Sequence, residues 1–148
     1  WRVAMLATNA QFVKYILKVK SNIDNGTFKP MQLAAAQAYH NSPEWHEEMN
    51  YNVYRRRRDV AEQIMTALHC SFNPNQVGMF LWGKIPAGYA NVEDLTEKLL
   101  HEANVFVTPG FIFGSNGNRY IRISLCAKDA KLKEALERVK QLSGLLDK

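Results

Sequence analysis

The stretch FGSNGNRYIRISL, residues 113–125, decides how the second half of this sequence folds. A glycine-punctuated loop leads into a run in which aliphatic and polar side chains alternate. Alternation with a period of two is typical of a β-strand that buries one face. One face of the predicted strand holds Ile121, Ile123 and Leu125, and the other holds Tyr120, Arg122 and Ser124.

Arg122 carries the most distinctive chemistry of this strand. Its guanidinium is a planar fork of donors that matches a carboxylate through two parallel hydrogen bonds. Exposed sheet faces are commonly polar, so the spacing alone also fits an ordinary half-exposed strand. The rest of the chain has to decide between these two interpretations.

The composition describes one globular domain of ordinary chemistry. The chain has 148 residues, of which 47% are hydrophobic and 22% charged, and its net charge is +5. We see no apolar run near the roughly 18 residues that cross a bilayer and no secretory leader, and therefore expect a cytoplasmic protein without a membrane partner. Cys70 and Cys126 lie far apart and form no ligand pattern, so we expect reduced, buried thiols and no metal site.

The first half of the sequence predicts a strand followed by helices. Residues 1–6 have the composition of a strand, residues 9–20 follow a helical period that Asn9 can cap, and residues 30–39 form an alanine-rich helix. A long helix starts at Ser42 and Pro43 and runs to about Leu68.

Four consecutive arginines, Arg55–Arg58, lie in the middle of this long helix. Successive helical residues are about 100° apart, so the four cannot share one face, and Arg56 and Arg57 fall on the apolar stripe. This favours a helix that passes between two packed layers. Nucleic-acid binding is the alternative, since basic runs can follow phosphates, but no stacking-aromatic module surrounds this one.

From Ser71 onward the pattern predicts strand, helix, strand, strand, helix. The strands are expected at residues 78–85, 105–108 and 120–125, and the helices at residues 91–103 and 129–142. Such an order predicts an α+β fold, a small two-layer domain of mostly antiparallel sheet covered by helices.

Four segments, in this order along the chain, resemble the C-terminal part of fold-type I pyridoxal phosphate aminotransferases of classes I and II. They are Trp1-Arg2, Lys20 to Phe28, Gly78 to Trp82, and Thr108 to Ser124. The resemblance covers nearly the whole chain and implies the α/β class of that family. It makes residues 1–44 the end of the large cofactor-binding domain, residues 45–70 a long interdomain helix and residues 71–148 the small C-terminal domain.

The resemblance also implies roles for particular residues. Arg122 would bind the substrate α-carboxylate and Arg2 the phosphate of pyridoxal phosphate, while Asn22 and Phe28 belong to a segment that reaches the partner's active site in family dimers. The lysine that binds the cofactor covalently, the aspartate facing the pyridine nitrogen and the aromatic residue stacking on the ring would all lie upstream. This chain then contains no catalytic residue and is expected to be inactive by itself.

The implied function is that of an aminotransferase, similar to bacterial enzymes of the aspartate, alanine and diaminopimelate kind. Such an enzyme moves an amino group between an amino acid and a 2-oxo acid, works as a cytoplasmic homodimer, and binds neither nucleic acid nor membrane. Two alternatives stay open: a decarboxylase, lyase or acyltransferase on the same fold, and a non-enzymatic basic α+β module that binds nucleic acid. The sequence does not identify the amino acid.

Overall fold

The structure is a computed structural model that describes residues 3–146, with side chains described as far as Ser143. It separates into two compact units, of which the first ends at His46 and the second begins at Glu47. The assignment of residues 1–44, 45–70 and 71–148 to different parts of a larger enzyme stays a prediction.

The first unit consists of helices: α1 (Ala10–Ile23), α2 (Lys29–Tyr39) and the start of α3 (Pro43–Glu47). Asn9 caps α1 as predicted, since its side-chain oxygen accepts a hydrogen bond of 3.0 Å from the Phe12 amide. The predicted strand at residues 1–6 is wrong for residues 3–6, which are neither helix nor strand. No other strand lies within residues 3–46 to pair with them, while Trp1 and Arg2 lie outside the described residues.

Residues 3–46 contain no buried side chain. The apolar stripe of α1 is exposed along its length, with Phe12 56% and Leu17 60% accessible. An apolar stripe of this kind is typical of a helix that packs against a larger core.

The helix predicted from Pro43 to about Leu68 is confirmed, although its winding changes along the way. After α3 the backbone forms a π-helical segment from Glu48 to Arg55, and α4 then runs from Arg56 to Ala67. A π-helix has more residues per turn than an α-helix, so it rotates all later side chains about the axis. Within α4, Arg56 is exposed and, contrary to the prediction, does not lie on the apolar stripe, whereas Arg57 and Arg58 are half-buried.

A three-stranded antiparallel sheet forms the second layer of the second unit. Its strands are β1 (Phe80–Lys84), β2 (Thr108–Pro109) and β3 (Tyr120–Ser124), in the spatial order β1-β3-β2. Arg122 of β3 lies opposite Trp82 of β1 on one side and Thr108 of β2 on the other.

β2 is shorter than the strand predicted at residues 105–108. The amide of Val105 donates to the Leu99 carbonyl at 3.1 Å, so this backbone group completes the end of a helix and does not join the sheet. That helix, α5 (Val92–Ala103), starts and ends where its caps predicted. Asn91 accepts from the Asp94 amide at 3.0 Å, and Asn104 adopts the left-handed conformation with φ of 53°.

The core of the second unit lies between the sheet and the helices α4, α5 and α6 (Asp129–Leu146). The strands contribute Leu81, Ile121 and Ile123, and the helices contribute Ile64, Met65, Leu95, Leu99, Leu132, Leu136 and Val139. Gly83 lets α4 approach β1 closely, because a Cβ atom there would lie 2.5 Å from the Met65 sulfur. The predicted α+β fold with a helix-covered antiparallel sheet is confirmed.

Candidate functional site

The outward face of the sheet is centred on Arg122. β3 alternates as predicted, with Ile121 and Ile123 buried and Arg122 half-buried on the other face. Because β3 is the middle strand, Arg122 has a neighbouring strand on both sides.

Two phenylalanine rings enclose the guanidinium of Arg122. The Cζ atom lies 4.2 Å from the ring centroid of Phe80 and 4.2 Å from that of Phe113. Trp82 supports this arrangement, since its ring meets that of Phe113 edge-on, with centroids 5.4 Å apart and planes at 70°. Rings at this distance attract a cation through their negative faces.

Arg122 has a buried donor that none of the described residues satisfies. Its Nε atom is buried and has no hydrogen-bond partner, and none of the side chains described up to Ser143 forms an ion pair with its guanidinium. A buried donor without an acceptor costs about 1–3 kcal/mol, so proteins rarely keep one without a reason. The arrangement is that of a positively charged group held between two rings, with its terminal nitrogens Nη1 and Nη2 as the donors that a ligand could reach.

The loop that carries Phe113 is held by a close backbone contact. Residues 110–113 form a 3₁₀ turn, and Phe113 is its last residue. A Cβ atom on Gly110 would lie 2.5 Å from the Gly117 carbonyl oxygen, and a Cβ on Gly117 would collide with the Gly110 carbonyl. Glycine at both positions therefore lets the loop close on itself beside β3.

Arg119 holds the start of the same strand, a role that the sequence patterns did not indicate. Its Nη1 donates to the carbonyls of Tyr89 and Ala90, the latter at 3.0 Å, and its Nη2 donates to that of Pro86 at 2.8 Å. The guanidinium thus supplies hydrogen-bond donors to carbonyls of the loop before α5, which have no strand to pair with. An arginine directly before a strand and after a glycine-rich loop is the only sequence signal of this role.

Two of the four consecutive arginines hold the other end of the sheet. Arg57 donates to the Leu125 carbonyl and to Asp129, both at 3.0 Å, where β3 leads into α6. Arg58 donates to the Gly78 carbonyl at 2.7 Å, just before β1, and its Nη1 is buried without a partner. These contacts attach α4 to the two strands that carry Phe80 and Arg122.

A cavity of about 450 Å³ opens beside β3, on the side of β2 and α6. Arg122, Thr108 and Ser124 line one part of it, and Leu132 and Arg138 of α6 line another. Arg122 therefore borders a space large enough for a small molecule.

The remaining predicted residues lie elsewhere. Arg2 is outside the described residues, and within the first unit Asn22 donates to the Lys18 carbonyl at 2.6 Å while Phe28 is 63% exposed. Burial raises the pKa of the Cys70 thiol to about 12, whereas the expected burial of Cys126 is wrong because it lies exposed in the turn after β3.

The described residues hold neither a metal-binding cluster nor a membrane-spanning helix. Among them no group of three or more histidine, cysteine, aspartate or glutamate side chains is arranged to hold a metal ion. Likewise, none of the described helices has both the length and the apolar character that crossing a membrane requires.

Comparison with known proteins decides the family. Residues 1–139 match the family described as aminotransferase class I and II. The chain belongs to this family. The resemblance seen in its four sequence segments is thereby confirmed, and β3 with Arg122 lies inside the matched region.

Similar proteins are aminotransferases of several kinds. LL-diaminopimelate aminotransferase of Oleidesulfovibrio alaskensis is 34% identical over 142 residues, which are 96% of this chain and 36% of that protein. A solved aminotransferase from Staphylococcus aureus is 34% identical with a TM-score of 0.66, over 86% of this chain and 34% of the other. The chain therefore spans about one third of the length of the relatives it matches.

A third likeness is to a solved protein of Methanococcus jannaschii, whose active site is described as similar to those of kynurenine aminotransferases. It has a TM-score of 0.72 and 28% identity, over 92% of this chain and 36% of that one. Relatives named for such different substrates share this part of the fold, so the fold alone does not select the amino acid.

Proposed function

We propose that the protein containing this chain is a pyridoxal phosphate-dependent aminotransferase, which moves an amino group from an amino acid to a 2-oxo acid. Membership of the aminotransferase family supports this, as do the names of the similar proteins. The proposal extends to a cytoplasmic homodimer, to which the segment with Asn22 and Phe28 contributes near the partner's site.

The role proposed for Arg122 is to bind the α-carboxylate that both substrates carry. The single observation that carries this role is its guanidinium, half-buried between two rings and outside every ion pair of the described residues. A carboxylate that enters such a site loses water and gains two charge-assisted hydrogen bonds in return. Because these bonds are parallel, they fix the plane of the carboxylate as well as its position.

The cofactor supplies an electron sink for the amino acid, and the protein supplies orientation and electrostatics. In this chain the phosphate would be held by Arg2, which lies outside the described residues. The described residues fit the substrate side of the reaction, since the unpaired guanidinium of Arg122 suits an organic acid beside the cofactor.

Replacing Arg122 by lysine in the complete enzyme tests the proposal. Lysine keeps the positive charge but offers no planar pair of donors. We expect kcat/KM to fall by an amount worth about 2–5 kcal/mol, as on truncating one partner of a buried charge pair. Steady-state kinetics with an amino acid and a 2-oxo acid measure this.

The matched control is Arg55→Lys, which changes an exposed arginine that pairs with Asp59 on its own helix. It should leave kcat/KM unchanged, and both variants should retain the absorbance of bound cofactor. Near-normal kinetics of Arg122→Lys would show that the carboxylate binds elsewhere.

A further inference from the structure

We propose that Phe80 and Phe113 are positioning residues for Arg122, which hold its guanidinium in the one plane from which it binds a carboxylate. This inference rests on the proposed role of Arg122. It adds two residues, on separate elements, that act on the substrate only through the arginine.

The two rings contact Arg122 at the same distance. Both ring centroids lie 4.2 Å from Cζ, within the distance at which an aromatic ring attracts a cation. A planar ion with a ring on each of two sides is hindered from turning out of its plane. A long arginine side chain without such contacts would keep most of its rotamer freedom.

A carboxylate can reach Arg122 only from the side of its terminal nitrogens. The rings cover the guanidinium, and Nε is buried, so Nε is not accessible to a ligand from solution. The terminal nitrogens Nη1 and Nη2 remain, and they form the end of the fork. A carboxylate therefore meets Arg122 end-on and in the guanidinium plane, with one oxygen to each terminal nitrogen.

The backbone that carries each ring is held in place, although the rings of Phe80 and Phe113 are 41% and 52% exposed. Phe80 is part of β1 and lies opposite Ser124, which makes it a diagonal neighbour of Arg122 across the two strands. Phe113 ends the 3₁₀ turn that Gly110 and Gly117 close, and the edge of Trp82 packs against it. A ring on a fixed backbone, in contact with the guanidinium, restricts the orientations that Arg122 can adopt.

Both substrates of an aminotransferase carry the same carboxylate, so loss of a ring should affect them alike. In the complete enzyme we expect Phe113→Leu to lower kcat/KM about three- to thirty-fold for the amino acid and the 2-oxo acid, as for the loss of one cation–π contact. Phe113→Tyr keeps the ring and should restore most of the activity. Cofactor content should not change in either variant.

The chain offers a matched control in the same turn. Phe111→Leu makes the same substitution two residues earlier, at a phenylalanine that is 38% exposed and is not stacked on Arg122. We expect its kinetics to be normal. Phe80→Leu, on a different element, is the second test variant and should show the same loss of kcat/KM as Phe113→Leu. It provides the test if Phe113→Leu folds poorly.

A double-mutant cycle with Arg122→Gln separates positioning from a general structural effect. If Phe113 acts through Arg122, Phe113→Leu should cost nothing further once the guanidinium is gone, as measured in single turnovers with the amino acid. An equal cost in both backgrounds would overturn the inference and leave the proposed function intact. Normal kinetics of Arg122→Lys would instead overturn the proposed function and, with it, this inference.

A readout that does not depend on activity completes the test. In the 148-residue chain, the side-chain protons of Arg122 should be shifted upfield by the two rings in its NMR spectrum. Phe113→Leu should remove about half of that shift, whereas Phe111→Leu should leave it in place. An unshifted Arg122 in the parent chain would contradict the stacked geometry and overturn the inference.

Discussion

Arginine performs three different tasks in this protein, and the environment of each guanidinium decides which. Arg122 is stacked between two rings and unpaired, Arg119 donates to the carbonyls of a loop, and Arg55 forms an exposed pair with Asp59. A half-buried guanidinium that donates to several carbonyls is costly to remove, because the carbonyls lose their partner. An exposed ion pair contributes little, since water and salt replace it.

Arg119→Met tests this difference at the level of a single residue. We expect it to lower the free energy of unfolding by about 2–3 kcal/mol, because hydrogen bonds from a charged donor to several backbone carbonyls are lost together. Urea unfolding of the 148-residue chain, followed by tryptophan fluorescence, measures the change.

Arg55→Met is the matched control, with the same substitution at an exposed position. It should cost no more than about 0.5 kcal/mol. Similar costs for the two variants would mean that the carbonyl contacts of Arg119 contribute nothing to stability.

Among the elements, the long helix between Pro43 and Ala67 shows how geometry redistributes a charged run. Its π-helical segment ends at Arg55, directly before the other three arginines, and within α4 Arg57 and Arg58 donate to the backbone carbonyls of Leu125 and Gly78. Arg55 and Arg56 remain on the outside, and Arg55 is paired with Asp59. Four arginines in sequence therefore provide little free positive charge on the helix surface.

This arrangement predicts weak, non-selective nucleic-acid binding by the helix. Counterion release makes such binding fall steeply as salt rises, so any affinity for a labelled DNA or RNA oligonucleotide should disappear by about 150 mM salt. Fluorescence anisotropy across a salt series measures it, with Arg56→Gln as the variant expected to weaken the low-salt binding. Tight, sequence-selective binding at physiological salt would instead support the basic-module alternative.

For the whole molecule, the contrast between the two units is the dominant feature. The second unit has a continuous core between its sheet and three helices, whereas residues 3–46 bury no side chain. Helices of 14 and 11 residues without a core are marginal in water. The apolar face of α1 then stabilises the helix only where other parts of a longer protein cover it.

Hydrogen exchange of the 148-residue chain should reveal this contrast directly. We expect the amides of α1 and α2 to exchange at least roughly 100-fold faster than those of β3 and α5, because segments with few buried contacts open at little cost in free energy. Mass spectrometry of peptic peptides resolves the two regions. Equal protection of both would show that the first unit is stable without further partners.

The sequence by itself determined the elements that depend on nearby residues. The alternation of residues 120–125 predicted β3 and its two faces, and Asn91 and Asn104 predicted both ends of α5. It also predicted the family, because the four short motifs occur in the family's order although the overall identity to relatives is only about one third. Periodicity and capping act over a few positions, so they can be read without knowing the fold.

The tertiary structure alone decided what surrounds those elements. Nothing near Arg122 in the sequence indicates that Phe80, from the far side of α5, stacks on its guanidinium. The same holds for Arg57 and Arg119, whose acceptors lie on other elements. These contacts join residues distant in the chain, and only the packing of the helices on the sheet brings them together.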